Sequence, residues 1–334
     1  MGAFQANSDK DAGMALMLSI IVPVFNVERY LAKCLDSLLS QDIDQDSYEI
    51  ILIDDGSTDT GGEMCDGYAS KFKNITVFHQ KNQGLSVARN VGLGKAQGKY
   101  VLFVDSDDFL EKSILGALVK EMEELGLDIL RFKYRRVREG DNLPHEIGAY
   151  QYPISQQIVF DGHDFLFNRL GKECYACQFL INKAFLIQHE LFFRPGIIFE
   201  DTEWTPRVLE KAKRVSETDV LVYNYLEREG SITQGRAEQV VHGQLKLISL
   251  LKGQMLYLDD KRWYEGMIAH TVVTIITQIG CNLFSQRKVY LKELSNEKVY
   301  PLSYFNASNS AKRKIRVINL SPRLACWAIY LSNL

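Results

Sequence analysis

Three carboxylates stand directly after an apolar segment in the first third of the chain. Residues 100–104 are mainly apolar, and Asp105, Asp107 and Asp108 follow them. Unpaired carboxylates are costly inside a protein, so we expect this segment to leave its sheet at an edge, where open α/β sheets bind ligands. Because side chains alternate along an extended chain, Asp105 and Asp107 can face one hard cation, which could hold a diphosphate. A strand followed by an Asp-rich helix cap is the plainer alternative.

A second acidic pair, Asp54 and Asp55, follows another apolar segment and precedes Gly56 and Ser57. The carboxyl ends of parallel strands meet along one edge of a sheet, so the two clusters can share a crevice. One carboxylate there could accept hydrogen bonds from a nucleobase or ribose while another binds the cation. A turn that caps a helix also explains residues 54–57, although two such clusters in one sheet weaken that alternative.

Strand and helix patterns alternate through the first half of the chain. This alternation predicts an α/β fold with parallel strands and right-handed crossovers. Residues 165–191 have a mostly helical pattern, and residues 237–334 predict a separate helical appendage. The predicted strands cover residues 18–24, 50–53, 75–78, 100–104, 129–134 and 220–225.

The loop after the first predicted strand carries no phosphate-binding motif. Residues 24–29 contain neither G-x-G-x-x-G nor G-K-S/T, so a helix N-terminus is not the obvious phosphate site and a metal would be needed. Further along, Arg89 could reach a base or phosphate, and Gly84 would let the backbone turn closely. A solvated arginine on a helix surface is the alternative for Arg89.

The composition is that of an ordinary globular protein, since 46% of the 334 residues are hydrophobic and 24% are charged. The net charge of −3 argues against nucleic acid as a general partner. The isolated C-x-x-C pair at Cys174 and Cys177 is a poor zinc or redox site. No apolar run of about 18 residues occurs, so no membrane span is predicted. Residues 1–16 lack a signal-peptide pattern and are expected to form a disordered leader.

Positive charge is concentrated towards the C-terminal end. Residues 281–334 contain nine basic and two acidic residues, which gives them a net charge of +7. Residues 312–331 mix these charges with Ile, Val, Leu and Trp, a combination that can lie in an anionic membrane interface. A helix that packs on the rest of the protein and leaves its basic face in water is the alternative.

Four segments occur in an order and spacing that closely resemble family 2 glycosyltransferases of the GT-A fold. They are S-I-I-V-P-V-F-N at residues 19–26, D-D-G-S-T-D at 54–59, N-x-G through A-R-N at 82–90, and D-S-D-D at 105–108. The resemblance implies a mixed, mostly parallel sheet flanked by helices. It also implies a catalytic domain and a C-terminal helical region. The expected bounds are 17–125 for the nucleotide-binding half, 126–234 for the acceptor half and 235–334 for the helical region.

The resemblance also implies roles for individual residues. Asp107 would be the direct ligand of Mn²⁺ or Mg²⁺ bridging a donor diphosphate, with Asp105 in the metal shell or on the ribose. In an E-D element, Asp201 would be the base that deprotonates the acceptor, with Glu200 in reserve. On the residues alone, a helix cap is the favoured role for Asp201, and a solvated loop residue is the alternative for Arg228. The implied nucleotide-sugar site comprises Pro23, Phe25, Asp54, Asp55, Arg89, Asp105, Ser106 and Arg228.

The implied activity is that of an inverting, metal-dependent hexosyltransferase. It would move one sugar from a nucleotide-diphosphate donor, first of all a UDP-sugar, to a hydroxyl of a glycan or lipid-linked acceptor in polysaccharide biosynthesis. The processive signature Q-x-x-R-W does not occur, which favours single addition. We expect a cytoplasmic protein, either free or peripheral on the inner face of the cell membrane.

Three other classes share parts of this pattern. A haloacid-dehalogenase-like phosphatase would carry Gly and Thr where Asp108 and Phe109 stand. A nucleotidyltransferase would carry a Gly-rich basic loop after the first strand. An inactive sugar-nucleotide-binding partner subunit is disfavoured by the intact acidic clusters and by Asp201, but it stays an alternative.

Overall fold

The computed structural model describes residues 16–141, 158–228 and 237–333, and eight strands within these residues form one sheet. Residues 1–15 of the predicted leader lie outside the described residues. The strands are β1 (Leu18–Val24), β2 (Tyr48–Asp54), β3 (Ile75–His79), β4 (Tyr100–Phe103), β5 (Phe109–Leu110), β6 (Ile129–Arg138), β7 (Phe179–Asn182) and β8 (Val215–Glu227). Their order across the sheet is β3-β2-β1-β4-β7-β6-β8-β5.

Strands β1 to β4 are parallel, as the alternating pattern predicts. β1 lies between β2 and β4, and β3 pairs with the outer side of β2. Alternate residues contribute to two apolar clusters: Ile21 and Ile51 lie in one, and Ile20 and Leu52 lie in the other. Because both faces of the sheet are covered, these strands are continuous apolar runs instead of alternating ones.

Helices cover both faces of the sheet and continue as a C-terminal helical region. The apolar residues of these helices recur with the helical period and form one buried face. In α1 this face contains Leu31, Cys34, Leu35 and Leu38. The helices are α1 (Glu28–Leu39), α2 (Gly61–Ala69), α3 (Leu85–Lys95), α4 (Leu115–Leu125), α5 (Gly162–Asn168), α6 (Lys183–Gln188), α7 (Glu200–Lys211), α8 (Ala237–Gln254), α9 (Arg262–Asn282), α10 (Arg287–Asn296), α11 (Asn309–Leu320) and α12 (Pro322–Ser332).

The prediction that residues 165–191 are mostly helical is wrong. Strand β7 separates α5 from the short α6, and its residues Phe179, Leu180 and Ile181 are buried. β7 pairs antiparallel with β4 on one side and with β6 on the other. Pairing on both edges satisfies the backbone of β7 and outweighs the local helical pattern. The sheet is therefore mixed: β7 is antiparallel to both of its neighbours and β5 is antiparallel to β8, whereas β6 and β8 are parallel to each other.

The C-terminal helices are built around α9, which is buried along most of its length. Helices α8, α11 and α12 pack against it. Trp263 of α9 belongs to the same apolar cluster as Trp204 of α7, so the helical region shares a core with the sheet. The predicted boundary at 234–235 falls within residues 229–236, outside the described residues. Among the described helices, none is by itself long and apolar enough to cross a membrane; α9 with residues 284–296 meets that test only as a pair bent by 112°.

Candidate active site

The two acidic clusters lie at one edge of the sheet. β1 and β2 end side by side, with Val24 paired to Asp54. On the other side of β1, β4 ends just before Asp105. The loops after β1 and β2 are tied together, because the Thr58 N–H donates to Asn26 Oδ1 at 2.8 Å. The carboxyl ends of three parallel strands therefore bring the clusters into one region.

Asp54 is buried and held from two sides. The Ser57 N–H donates to Asp54 Oδ1 at 2.9 Å, and His79 Nδ1 lies 2.7 Å from Asp54 Oδ2. Burial raises the pKa of Asp54, but the hydrogen bonds from His79 and Ser57 outweigh it and leave that pKa below its ordinary value. Asp54 is therefore ionised, and its oxygens have lone pairs left for a further donor.

Asp55 is directed into the neighbouring loop. Its Oδ1 accepts from Gln80 Nε2 at 2.7 Å and from the Gln83 N–H at 2.9 Å, and its Oδ2 accepts from the Gly84 N–H at 2.8 Å. Gly84 has a φ of +88°, which a glycine adopts without strain, and α3 begins directly after it. Asp55 thus shapes the loop that starts the helix carrying Arg89.

Three further predicted donor-site residues differ in exposure. Pro23 is buried within β1, and Ser106 is buried between the aspartates of the second cluster. The side chain of Phe25 is 45% exposed where β1 ends. An exposed aromatic face at this edge of the sheet can stack against a planar base.

Arg89 of α3 links the parallel part of the sheet to α7. Its side chain is only 1% exposed, and its Nη2 donates to Asp105 Oδ1 at 2.7 Å. Its Nη1 donates to Glu200 Oε1 and to Asp201 Oδ1, both at 2.8 Å. The guanidinium also lies over the Phe193 ring, 5.1 Å from the centroid. Arg89 is enclosed by protein groups, so the solvated-arginine alternative is wrong.

Asp201 lies in the first turn of α7 but does not cap it. The N-cap position is Phe199, which has a φ of 65° and makes no side-chain capping bond. One Asp201 oxygen faces Arg89, and the other accepts from the Ala176 N–H at 3.2 Å. Burial raises the pKa of Asp201 to about 7, although the Arg89 charge acts in the opposite direction. The helix-cap alternative for Asp201 is wrong, and a pKa near neutrality suits a general base.

Asp107 pairs with Arg228, the residue that directly follows β8. Arg228 Nε donates to Asp107 Oδ2 at 2.7 Å. Burial, together with the nearby charge of Asp105, raises the pKa of Asp107. Residues 229–236, which follow Arg228, lie outside the described residues.

Asp105 and Asp107 offer carboxylate oxygens, the ligands that a hard cation prefers, and each of them is paired with an arginine in the structure. Among the residues that the structure describes, no three His, Cys, Asp or Glu side chains are grouped to hold a metal ion by themselves. Mg²⁺ is usually bound through one or two carboxylates, with phosphate oxygens and waters filling the other positions. The pKa of Asp107 is raised first by burial and then by repulsion from Asp105, and a bound cation would relieve that repulsion.

Comparison with known proteins connects this geometry to a family. The model of the family "Glycosyl transferase family 2" matches residues 19–192, more than half of the chain. The chain belongs to glycosyl transferase family 2. Glycosyltransferase GlyG of Streptococcus pneumoniae serotype 4 is 30% identical over 230 residues, which are 66% of this chain and 73% of GlyG. Glycosyltransferase GlyA of the same organism is 33% identical over 240 residues, which are 70% of this chain but only 34% of GlyA.

Solved structures show that this family 2 chain has the GT-A fold. S. aureus TarS 1-349, solved in complex with UDP-GlcNAc, has a TM-score of 0.68 at 22% identity, with 94% of this chain and 89% of that chain covered. The mannosyltransferase PcManGT of Pyrobaculum calidifontis, solved with GDP-Man and Mn²⁺, has a TM-score of 0.54 at 13% identity, with 95% and 86% covered. The expected mixed, mostly parallel sheet with a C-terminal helical region is confirmed.

The partners that fix the second acidic cluster in this family 2 chain were not predicted from the sequence. Asp108 is buried, and it accepts from Tyr223 Oη at 2.6 Å and from the Leu226 N–H at 2.7 Å. The Asp105 N–H in turn donates to Tyr223 Oη at 3.2 Å. Three carboxylates within four residues cannot all face one cation, so the cluster itself signals that one of them needs donors from elsewhere in the fold.

Proposed function

We propose that the protein is a metal-dependent, inverting glycosyltransferase that moves one sugar from a nucleotide-diphosphate donor to an acceptor hydroxyl. The observation that carries this proposal is the Arg89 network. One guanidinium holds Asp105, from the donor side of the sheet, and Asp201, from the first turn of α7. A donor site and a candidate base are thereby fixed relative to each other, as a displacement reaction requires.

The nucleotide would bind at the ends of β1 and β2. The exposed ring of Phe25 offers a stacking face, and Pro23 shapes the strand end beside it. The ionised Asp54 can accept a hydrogen bond from a base N–H while His79 and Ser57 hold it in place. The complex of TarS with UDP-GlcNAc supports a uridine nucleotide as the first candidate.

Asp105 and Asp107 would hold Mn²⁺ or Mg²⁺ at the donor diphosphate. Such a cation neutralises negative charge that builds on the departing nucleotide. Ser106, which is buried between them in the chain, would fix the spacing of the two aspartates. Arg228 pairs with Asp107 and is therefore close enough to contact the same diphosphate. The Mn²⁺ in the PcManGT complex supports this proposal.

Asp201 would remove the proton from the acceptor hydroxyl. Inversion needs this base on the side of the sugar opposite the departing nucleotide. The Arg89 guanidinium lies between Asp201 and Asp105, since its Nη1 donates to the first and its Nη2 to the second. Burial keeps the pKa of Asp201 near neutrality, and Glu200, on the same arginine nitrogen, is the reserve candidate. The proposed acceptor is a hydroxyl of a glycan or of a lipid-linked molecule in polysaccharide biosynthesis. The proposed location of the protein is the cytoplasm.

A panel of nucleotide sugars tests the proposal. The protein is incubated with UDP-, GDP- and dTDP-sugars, with and without Mn²⁺, and thermal stabilisation and donor hydrolysis are both measured. We expect one donor class to raise the melting temperature and to be hydrolysed only when Mn²⁺ is present. Stabilisation without hydrolysis or transfer to any acceptor would favour the inactive binding subunit. No response to any donor would overturn the proposal.

A further inference from the structure

Helix α12 is apolar on two opposite faces, and only one of them is covered. Ala325 and Cys326 are buried, and Ile329 packs closely against Gly280 of α9. On the other face, Leu324, Trp327 and Leu331 are 64%, 44% and 62% exposed. Their spacing of three and four residues places them in one stripe along the helix.

The preceding helix, α11, also exposes large apolar side chains. Leu320, at the end of α11, is 81% exposed, and Val317, three residues earlier, is 41% exposed. α11 packs against α12 and buries only Ile315 and Ile318. We call the five exposed residues the α11–α12 surface: Val317, Leu320, Leu324, Trp327 and Leu331. Large apolar side chains grouped in this way mark a contact with a partner or a membrane, whereas single exposed ones do not.

The segment that forms this surface carries charge of one sign. Residues 298–334 contain six basic and no acidic side chains. Lys312, Arg313, Lys314 and Arg316 of α11 and Arg323 of α12 are all exposed. Within the described ranges 16–141, 158–228 and 237–333, none of these five forms an ion pair. Elsewhere on the protein, basic side chains of similar exposure are commonly paired, as Lys73 is with Asp46.

We propose that the α11–α12 surface binds the anionic surface of a lipid bilayer. Apolar side chains would enter the boundary between headgroups and acyl chains, while the five basic residues would meet acidic headgroups. Trp327 is suited to such an interface. Its ring centroid lies 4.6 Å from that of Phe284 and 5.1 Å from the guanidinium carbon of Arg287, and these contacts hold it in place. The helices would lie on the membrane and would not cross it.

A second copy of the chain is the less suitable occupant. A two-fold symmetric contact through this surface would place two sets of unpaired basic residues against each other, and like charges in such a contact are repulsive. An anionic bilayer complements the charge and takes up the apolar stripe at the same time. The proposal needs neither a donor nor an acceptor sugar, so it can fail or hold independently of glycosyl transfer.

Vesicle binding of the full chain tests the proposal. Vesicles of phosphatidylcholine alone are compared with vesicles that also contain phosphatidylglycerol, in co-sedimentation at low and physiological salt. Trp327 is a built-in reporter, because Trp204 and Trp263, the other two tryptophans, are buried. We expect binding and a blue shift of tryptophan emission only with the anionic vesicles, with weaker binding at higher salt.

Two variants and a matched control separate the contributions. Each basic residue near an anionic surface contributes a factor of about five, so replacing Lys312, Lys314 and Arg316 by Gln should weaken binding on the order of 100-fold. Replacing Leu324 and Leu331 by Gln should weaken binding at unchanged charge. The control replaces the exposed Lys71, Lys112 and Lys211 by Gln, which removes the same charge from the sheet domain and should leave binding unchanged.

Because all the substituted side chains are exposed, the variants should keep the circular dichroism spectrum and melting temperature of the parent protein. If the control weakens binding as much as the α11 variant, the effect is one of net charge and the proposal fails. The proposal also fails if the protein does not bind anionic vesicles. It fails as well if sedimentation velocity shows that L324Q/L331Q converts a dimer into a monomer, because the surface would then bind a second copy of the chain.

Discussion

Two regions of the molecule carry concentrated charge and treat it in opposite ways. At the carboxyl edge of the sheet, Asp105, Glu200 and Asp201 converge on the buried Arg89, and Asp107 pairs with Arg228. On α11 and α12 the basic residues are exposed, and none of them is paired within the described part of the chain. Charges that are buried and cross-linked set a geometry, as chemistry requires. Basic side chains that are exposed and unpaired attract an oppositely charged surface from a distance, which suits a surface contact.

The largest effect should follow from removing the proposed metal ligand at the sheet edge. Asp107→Ala should abolish turnover, because one of two carboxylates for the cation is lost and Arg228 loses its partner. Turnover is measured with saturating donor over a range of Mn²⁺ concentrations. Asp219→Ala, which removes an exposed aspartate from β8, serves as the control and should be fully active. Full activity of D107A would refute the metal assignment.

Replacing the buried Arg89 should lower the free energy of unfolding much more than replacing an arginine of a surface ion pair. Arg89→Met leaves three carboxylates without their shared partner, and breaking a buried ion pair typically costs about 3–5 kcal/mol. The same substitution at Arg29, whose pair with Glu139 is on the surface, should cost no more than about 1 kcal/mol. Urea unfolding gives both free energies. Equal stability of the two variants would mean that the network contributes nothing to the fold.

The proposed base should be separable from donor binding. Asp201→Asn keeps a similar shape and one acceptor oxygen for Arg89, although its NH2 group cannot accept from the Ala176 N–H. The amide cannot take up the acceptor proton, so the catalytic rate should fall by about 100-fold or more. Donor affinity, measured by titration calorimetry with Mn²⁺ present, should stay within a few-fold of the parent value. If D201N turns over at the normal rate, Glu200 or another group performs that step, and Glu200→Gln becomes the variant to compare.

The sequence predicted the parallel half of the sheet because its signals there are local. β1 is buried on both faces and was bounded by its own apolar run, Leu18–Val24, while Asp54 and Asp105 marked the strand ends. β7 could not be read in this way. Its four residues resemble the helical pattern around them, and only their pairing with β4 and β6 makes them a strand.

The candidate site shows the same division between local and long-range information. The acidic clusters were visible in the sequence, whereas the partners of Arg89 lie 16, 111 and 112 residues away from it along the chain. A lone arginine on a helix gives no signal of burial, so the sequence pointed to a donor contact for Arg89 and did not indicate the three carboxylates that surround it in the structure. The role of each predicted site residue stays a prediction until the variants are measured.

The pH dependence of turnover should report the pKa of Asp201. That pKa is raised to about 7 by burial, and a general base works only when it is deprotonated. As the pH falls below 7, kcat/KM should therefore fall about tenfold per unit, and above 7 it should level off. In D201N the remaining activity should lose this limb. An unchanged acidic limb in D201N would assign it to another group.

The smallest effect concerns the packing that holds Arg89 in place. Gly92 lies one turn after Arg89 in α3, and a Cβ added there would come within 2.3 Å of Ile21 Cγ2 in β1. Gly92→Ala should therefore destabilise the fold by about 1–3 kcal/mol and lower the catalytic rate by moving α3 away from the sheet. Gly94, in the same helix, has nothing within 4 Å of an added Cβ. Gly94→Ala should leave the rate unchanged and stabilise the helix by about 0.5–1 kcal/mol. Vesicle binding through α11 and α12 should be the same in both variants, and a loss of binding in G92A would show that the two regions are coupled and not independent.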